Sequence, residues 1–119
     1  MQIMESEELA RFLANCLEDK KARDVVIIDV REQTSMTDFL VVCEGDTDRQ
    51  VRSMVENLQE ACKAQEIDVY HVDGMKDGTW VCLDCGEVIV HVLLPGERSY
   101  YRIEDLWGMT EPRLNAIRS

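Results

Sequence analysis

The residues able to do chemistry fall into a few groups. Asp46 and Asp48 stand at D-x-D spacing in Gly45-Asp46-Thr47-Asp48, between an apolar run and a helical pattern. Two carboxylates so placed can hold Mg²⁺ for phosphoryl or nucleotidyl transfer. A third carboxylate from a nearby strand would complete the set, with Asp29 and Asp84 as candidates. Against that chemistry, no triphosphate-binding Gly-Ser turn precedes Asp46, and capping and the helix dipole alone favour acids at a helix N-terminus. Cys82 and Cys85 form C-x-x-C. A structural zinc site needs a second pair of ligands, and Cys43, His71 and His91 all fall inside predicted strands. A redox pair belongs just before a helix, whereas this pair sits in a hairpin. His91 lies in an apolar strand. A catalytic base there needs a nucleophile or substrate in reach, while a hydrogen bond to Asp84 on the neighbouring strand would order the hairpin without chemistry. P-loop, G-x-S-x-G and dinucleotide fingerprints are absent from the sequence.

The remaining group is suited to binding. Trp80, Tyr100, Tyr101 and Trp107 are four of the seven aromatic residues, all in the last third of the chain. Asp84, Glu87, Glu97, Glu104 and Asp105 are interleaved with them. Protein interfaces concentrate their energy in aromatic and Arg anchors. The acids suit a partner that carries basic side chains around an apolar patch. The same aromatics can instead fill the core, Trp107 above all.

The elements that must position these residues are legible in the periodicity. Leu9, Phe12, Leu13, Cys16 and Leu17 draw one stripe on a helix over residues 6–21, with Ser6 as the expected N-cap. Residues 24–30 (DVVIIDV) and 38–43 are β-branched or apolar runs and read as buried strands. Thr47 followed by Gln50 fits a capping box, and Val51, Met54, Val55, Leu58, Ala61 and Cys62 give the face of a helix running to about residue 65. Residues 67–72 predict a third strand. Residues 79–84 and 87–94 flank a tight turn and predict an antiparallel hairpin. The second of these runs is apolar on both faces and should be interior to the sheet. A last helix is expected over residues 97–107. This order implies an α/β domain with a mixed sheet of about five strands, residues 1–107 forming one domain and 108–119 a loosely ordered tail. The helix from Thr47 can cross between parallel strands.

Bulk properties narrow the function classes. A chain of 119 residues is one domain of ordinary size, able to bury roughly two thirds of its unfolded surface without a staple. Thirteen Lys and Arg against 24 Asp and Glu give a formal net charge of −11. Nucleic acid binding rests on basic side chains that displace counterions from phosphates, so little direct nucleic acid contact is expected and any RNA-proximal role implies docking on a basic protein. Five Cys, most of them in apolar runs, suit a reducing cytoplasm. The N-terminal stretch reads as neither a secretory signal nor a basic transit peptide, and the apolar runs are too short to span a membrane.

Several stretches carry a resemblance that covers about nine tenths of the chain. They are DVVIIDV at residues 24–30, TDFLVVCEG at 37–45, RQV at 49–51, Asp73-Gly74, WVCLDCGEVIVHV at 80–92 and RSYYRIEDLW at 98–107. The hairpin ending in VIVHV, followed by R-x-x-Y-x-x-E-x-L-W, is the most specific part. The chain resembles the ribosomal silencing factor family, also called Iojap. The resemblance implies an α/β fold similar to nucleotidyltransferases but without known catalysis; on the residues weighed above, neither a cofactor nor a metal is expected. It implies binding to the large ribosomal subunit through the intersubunit-face ribosomal protein numbered fourteen. It further implies a block on subunit joining that represses translation, a possible role in large-subunit maturation, and a possible homodimer when free. The implied docking surface is the hairpin plus the last helix, with Trp80, Asp84, His91, Arg98, Tyr101, Glu104, Leu106 and Trp107 as partner-binding residues. Cys85 stands where relatives often have Tyr or Leu, and Asp73 where many have Glu. A Mg²⁺-dependent nucleotidyltransferase using Asp46 and Asp48, and a non-ribosomal protein-binding adaptor, are the alternatives.

Overall fold

A computed structural model describes residues 4–101. In chain order its elements are α1 (Ser6–Asp19), β1 (Arg23–Asp29), β2 (Phe39–Glu44), α2 (Asp48–Ala64), β3 (His71–Asp73), β4 (Trp80–Asp84), β5 (Val88–Leu93) and α3 (Pro95–Tyr101). The five strands form one mixed sheet in the order β1-β2-β5-β4-β3. Strands β2 and β5 pair in parallel, and the other three neighbouring pairs are antiparallel. The expected α/β class, the five strands, the hairpin and the interior position of its second strand are all observed.

Alternation along the strands divides the sheet into two faces. Val25 and Ile27 of β1, Phe39, Val41 and Cys43 of β2, Val81 and Leu83 of β4, and Val88, Val90 and Val92 of β5 join one core. Helix α1 covers it with Leu9, Leu13 and Leu17, and α2 with Val51, Met54, Val55, Leu58 and Cys62. Each such side chain removed from water contributes roughly 1.5–3 kcal/mol before entropy is counted. The opposite face buries Val26, Ile28, Val30, Leu40, Val42 and Leu93, with Trp80 and Ile89 partly buried against them.

Local differences from the sequence reading have physical causes. Helix α1 is capped by Glu5 rather than Ser6, because Glu8 Oε1 accepts the Glu5 N–H at 3.1 Å in a reciprocal box. At α2 the Thr47 hydroxyl accepts the Gln50 N–H at 3.1 Å as expected, but the Gln50 side chain accepts from Asp46 N–H at 2.8 Å rather than from Thr47. Strand β3 keeps only three residues of the predicted six. The Ile67 N–H is already donated to the Cys62 carbonyl at the end of α2, 2.8 Å away, so the chain joins the sheet late. Helix α3 starts at Pro95 rather than Glu97, since proline suits the first helical turn, where an N–H has no partner.

Arg98 ties α3 to the far edge of the sheet. Asp24 adopts φ +50°, and the β1–β2 register shifts between Arg23 and Val26. Arg98 Nη1 donates to the carbonyl of Asp24 at 2.8 Å and pairs with Glu44 Oε2 at 3.2 Å. The two charged side chains are only 10% and 12% exposed. Arg98 was expected on the docking surface; its guanidinium is turned inward instead. Removing one partner of a largely buried pair strands the other charge. Arg98→Ala should therefore lower unfolding stability by about 2–4 kcal/mol, with Arg98→Lys recovering part of it. Urea titrations of the three proteins measure this, and an Arg98→Ala midpoint equal to the parent's would refute the latch.

Candidate functional site

The two hairpin strands are joined through Cys85, Gly86 and Glu87. Gly86 sits at φ +86°, and Cys85 N–H donates to the Val88 carbonyl at 2.9 Å. This turn sets the register, so that Trp80 lies across from Leu93, Cys82 from His91 and Asp84 from Ile89. Trp80, Cys82, Asp84, Ile89 and His91 then share the face opposite α1 and α2.

Their centre is a hydrogen-bonded knot. Trp80 Nε1 donates to His91 Nδ1 at 3.0 Å, and Cys82 Sγ lies 3.2 Å from the same nitrogen. The rings are 6.0 Å apart at their centroids and tilted by 50°. An indole N–H can only donate, so Nδ1 is an acceptor and the neutral imidazole carries its proton on Nε2. Burial pushes the His91 pKa down to about 4. Burial, reinforced by Asp73 and Asp84, raises the Cys82 thiol to about 11. Both groups are therefore uncharged at neutral pH. The expected Asp84–His91 hydrogen bond is not the one formed. Asp84 Oδ1 accepts the Gly86 N–H at 2.7 Å and holds the turn, and His91 takes Trp80 and Cys82 instead. Cys82 is the member of this site that the sequence reading weighed only as half of a C-x-x-C pair; its two-residue spacing from Trp80 and from Asp84, which puts all three on one face of the strand, was the available signal.

The remaining candidates are separated. Cys82 and Cys85 are three residues apart on a strand and its continuation, and so point to opposite faces. Cys85 is buried in the helix-side core and hydrogen-bonded to Cys62. No C-x-x-C ligand pair exists in this geometry. Asp48 is bound to Arg52 at 2.6 Å, and that guanidinium holds its carboxyl below the usual range. Asp46 faces Arg23 at 3.3 Å. Among the described residues, no three His, Cys, Asp or Glu side chains are grouped so as to hold a metal. Tyr101 closes α3. The assignments of Glu104, Leu106 and Trp107, and of the tail, fall outside the described residues.

Fold and site together define a small α/β domain with a five-stranded mixed sheet, two helices on one face, and a Trp–His–Cys knot on the other. The family profile described as "Ribosomal silencing factor during starvation" matches residues 3–118. The chain is 38% identical over 109 residues to the ribosomal silencing factor RsfS of Chromobacterium violaceum, covering 92% of this chain and 89% of that protein. It is 32% identical over 100 residues to the mouse protein named "Mitochondrial assembly of ribosomal large subunit protein 1", covering 82% of this chain and 44% of that longer protein. A crystal structure of a Chromobacterium violaceum protein superposes with a TM-score of 0.87 at 38% identity, over 92% of this chain and 91% of the other. The chain belongs to the ribosomal silencing factor family, the family identified from the sequence.

The depressed His91 pKa fixes a pH dependence. An unfolded His takes up its proton near pH 6.5, whereas folded His91 does so only near 4. As pH falls from about 6.5 to about 4 the unfolded state binds the extra proton, so stability is lost across that window and is intact above it. The loss from this group should approach roughly 3 kcal/mol. His91→Gln, which keeps an acceptor for Trp80 but does not titrate there, should flatten that part of the curve. Comparing urea midpoints of the two proteins between pH 7 and 4.5 isolates His91 from the carboxylates; parallel curves would contradict the assignment.

Proposed function

We propose that this protein is a ribosomal silencing factor that binds the large ribosomal subunit and keeps the small subunit from joining. Its contact is a basic ribosomal protein on the intersubunit face, the one numbered fourteen, as the family resemblance implies. It acts by occupying space, without turning over a substrate, and works in the cytoplasm. A part in large-subunit maturation is compatible with the same docking.

The observation that carries the reading is the Trp80–His91 knot on the sheet face away from α1 and α2. Trp80 is only partly buried, and its N–H is already satisfied, so what it offers a partner is apolar ring surface. Large aromatics of this kind are the anchors that dominate interface energies. Asp84 lies four residues along the same strand, on the same face, and His71 and Asp73 of the edge strand β3 are exposed beside it. The apolar centre with an acidic margin matches a basic partner. The net charge of −11 also speeds the approach to such a partner and argues against contact with the RNA itself.

Trp80→Ala should weaken large-subunit binding by tenfold or more while the helix-side core holds the fold together. The check is co-sedimentation with isolated large subunits, followed by addition of small subunits. The parent protein should prevent joined particles from forming and Trp80→Ala should permit them. A folded Trp80→Ala that binds and blocks like its parent would defeat the reading. Retained blocking by Asp46→Asn/Asp48→Asn is the companion result expected of a non-catalytic factor.

A further inference from the structure

A second surface lies at the other end of the hairpin. Strand β4 runs from Trp80 to Asp84, about 13 Å at the usual rise, and beyond its end an open groove of about 520 Å³ lies between the β4–β5 turn, the loop leading into β2 and the segment after α2. The only two large hydrophobic side chains strongly exposed among the described residues both stand there, Met36 at 85% and Tyr70 at 68%. The Tyr70 ring lies against the turn at Gly86, where an added Cβ would meet it at 3.1 Å.

The groove has two further properties. Its lining includes the carboxylates of Asp38, Glu66, Asp68 and Glu87 and no Lys, Arg or His among the described residues. Thr37 also lines it, and is 4% exposed with an Oγ1 that has no hydrogen-bond partner in the protein. Buried hydroxyls are ordinarily satisfied; this one is closed to solvent in the free protein, so a ligand in the groove reaches it only as the wall at Thr37 opens. Exposed apolar flanks, an acidic rim and an unfilled hydroxyl together describe the complement of a particular chemistry.

We propose that this groove binds a basic peptide segment of a protein partner, with one apolar side chain seated between Met36 and Tyr70, lysines or arginines over the carboxylates, and a backbone group on Thr37 Oγ1. Phosphate-bearing ligands meet four negative charges here. An acidic segment of a second copy would meet the same four carboxylates here, whatever surface the chain uses elsewhere to self-associate. A metal ion lacks a grouping of three donors among the described residues. The site is separate from the Trp80 face, because Cys85 and its turn belong to the opposite side and end of the hairpin.

The test uses the whole protein and a fluorescein-labelled peptide, Gly-Lys-Lys-Leu-Lys-Lys-Gly, followed by anisotropy and by amide shifts in NMR. The peptide should move the amides of residues 35–38, 66–70 and 85–87 and leave those around Trp80 and His91 in place. Replacing its leucine with glycine, or its lysines with glutamates, should abolish or strongly weaken binding. Asp68→Asn/Glu87→Gln should weaken it about five- to tenfold. Thr37→Val should weaken it about three- to tenfold while the melting temperature holds or rises, since an open buried hydroxyl is exchanged for a methyl of similar shape. A structural threonine would instead lower the melting temperature. The inference is overturned if the shifts map to Trp80 and His91, if these variants bind like the parent, or if groove amides respond to protein concentration alone, which would make a second copy the occupant.

Discussion

Strands β2 and β5 come from opposite halves of the chain and lie side by side in parallel, Phe39 against Val88 at one end and Glu44 against Leu93 at the other. A parallel pair cannot be closed by a tight turn, and it is stable only with both faces covered. Much else follows from that pairing. The crossover supplies α2 to one face, together with α1. β5 must then enter as the return strand of a hairpin, which places His91 in mid-sheet between Val42 and Cys82. At the start of the pair, the N–H groups of Asp38 and Phe39 both reach the Glu87 carbonyl, at 2.8 and 3.1 Å, bringing the loop before β2 against the hairpin turn. The groove exists at that junction. At the other end Glu44 is presented to Arg98, and α3 is fastened. The two candidate surfaces and the latch are thus boundary features of one ladder.

What was legible in the sequence was what repeats. The 3.6-residue stripe of α2 and its Thr47–Gln50 signal located that helix within a residue at each end, because capping and apolar periodicity agree there. Strands β2 and β5 were legible as buried because no polar residue interrupts them apart from His91. The misread details depend on register. Placing Asp84 beside His91 requires knowing where the turn closes; Cys85 pairs with Val88 around Gly86-Glu87, so Cys82 takes that place. The shortening of β3 has the same origin: alternation shows where residues can pair and not where the ladder starts. The groove was not legible at all. Met36, Thr37, Tyr70 and Glu87 come from three separate segments, and only the fold shows that Thr37 is buried while its neighbour Met36 is exposed.

The acidic balance acquires a shape in three dimensions. Several arginines are occupied close to home: Arg11 with Glu7, Arg31 with Asp29, Arg52 with Asp48 and Arg23 with Asp46. Exposed pairs of this kind add little stability. Their larger consequence is for the surface charge, since guanidiniums matched to neighbouring carboxylates do not offset the acids elsewhere. The hairpin turn and the β3 edge keep Asp68, Asp73, Asp84 and Glu87 without an arginine on either strand of the hairpin. A basic protein approaching from that side meets these four carboxylates around the apolar centre at Trp80.

The choice of histidine at position 91 follows from the same geometry. A leucine would fill the volume but leave the Trp80 N–H and the Cys82 thiol facing hydrocarbon, and a lysine would bring a charge that the half-buried face does not solvate. A neutral imidazole accepts at Nδ1 and retains a donor at Nε2 on the far edge of the ring. With its N–H committed, the indole has lost rotational freedom before any partner arrives, and less entropy remains to be lost on binding. The knot therefore does for the aromatic anchor what a rigid scaffold does for a binding loop: it fixes the orientation in advance, so that the apolar ring meets its partner already in place.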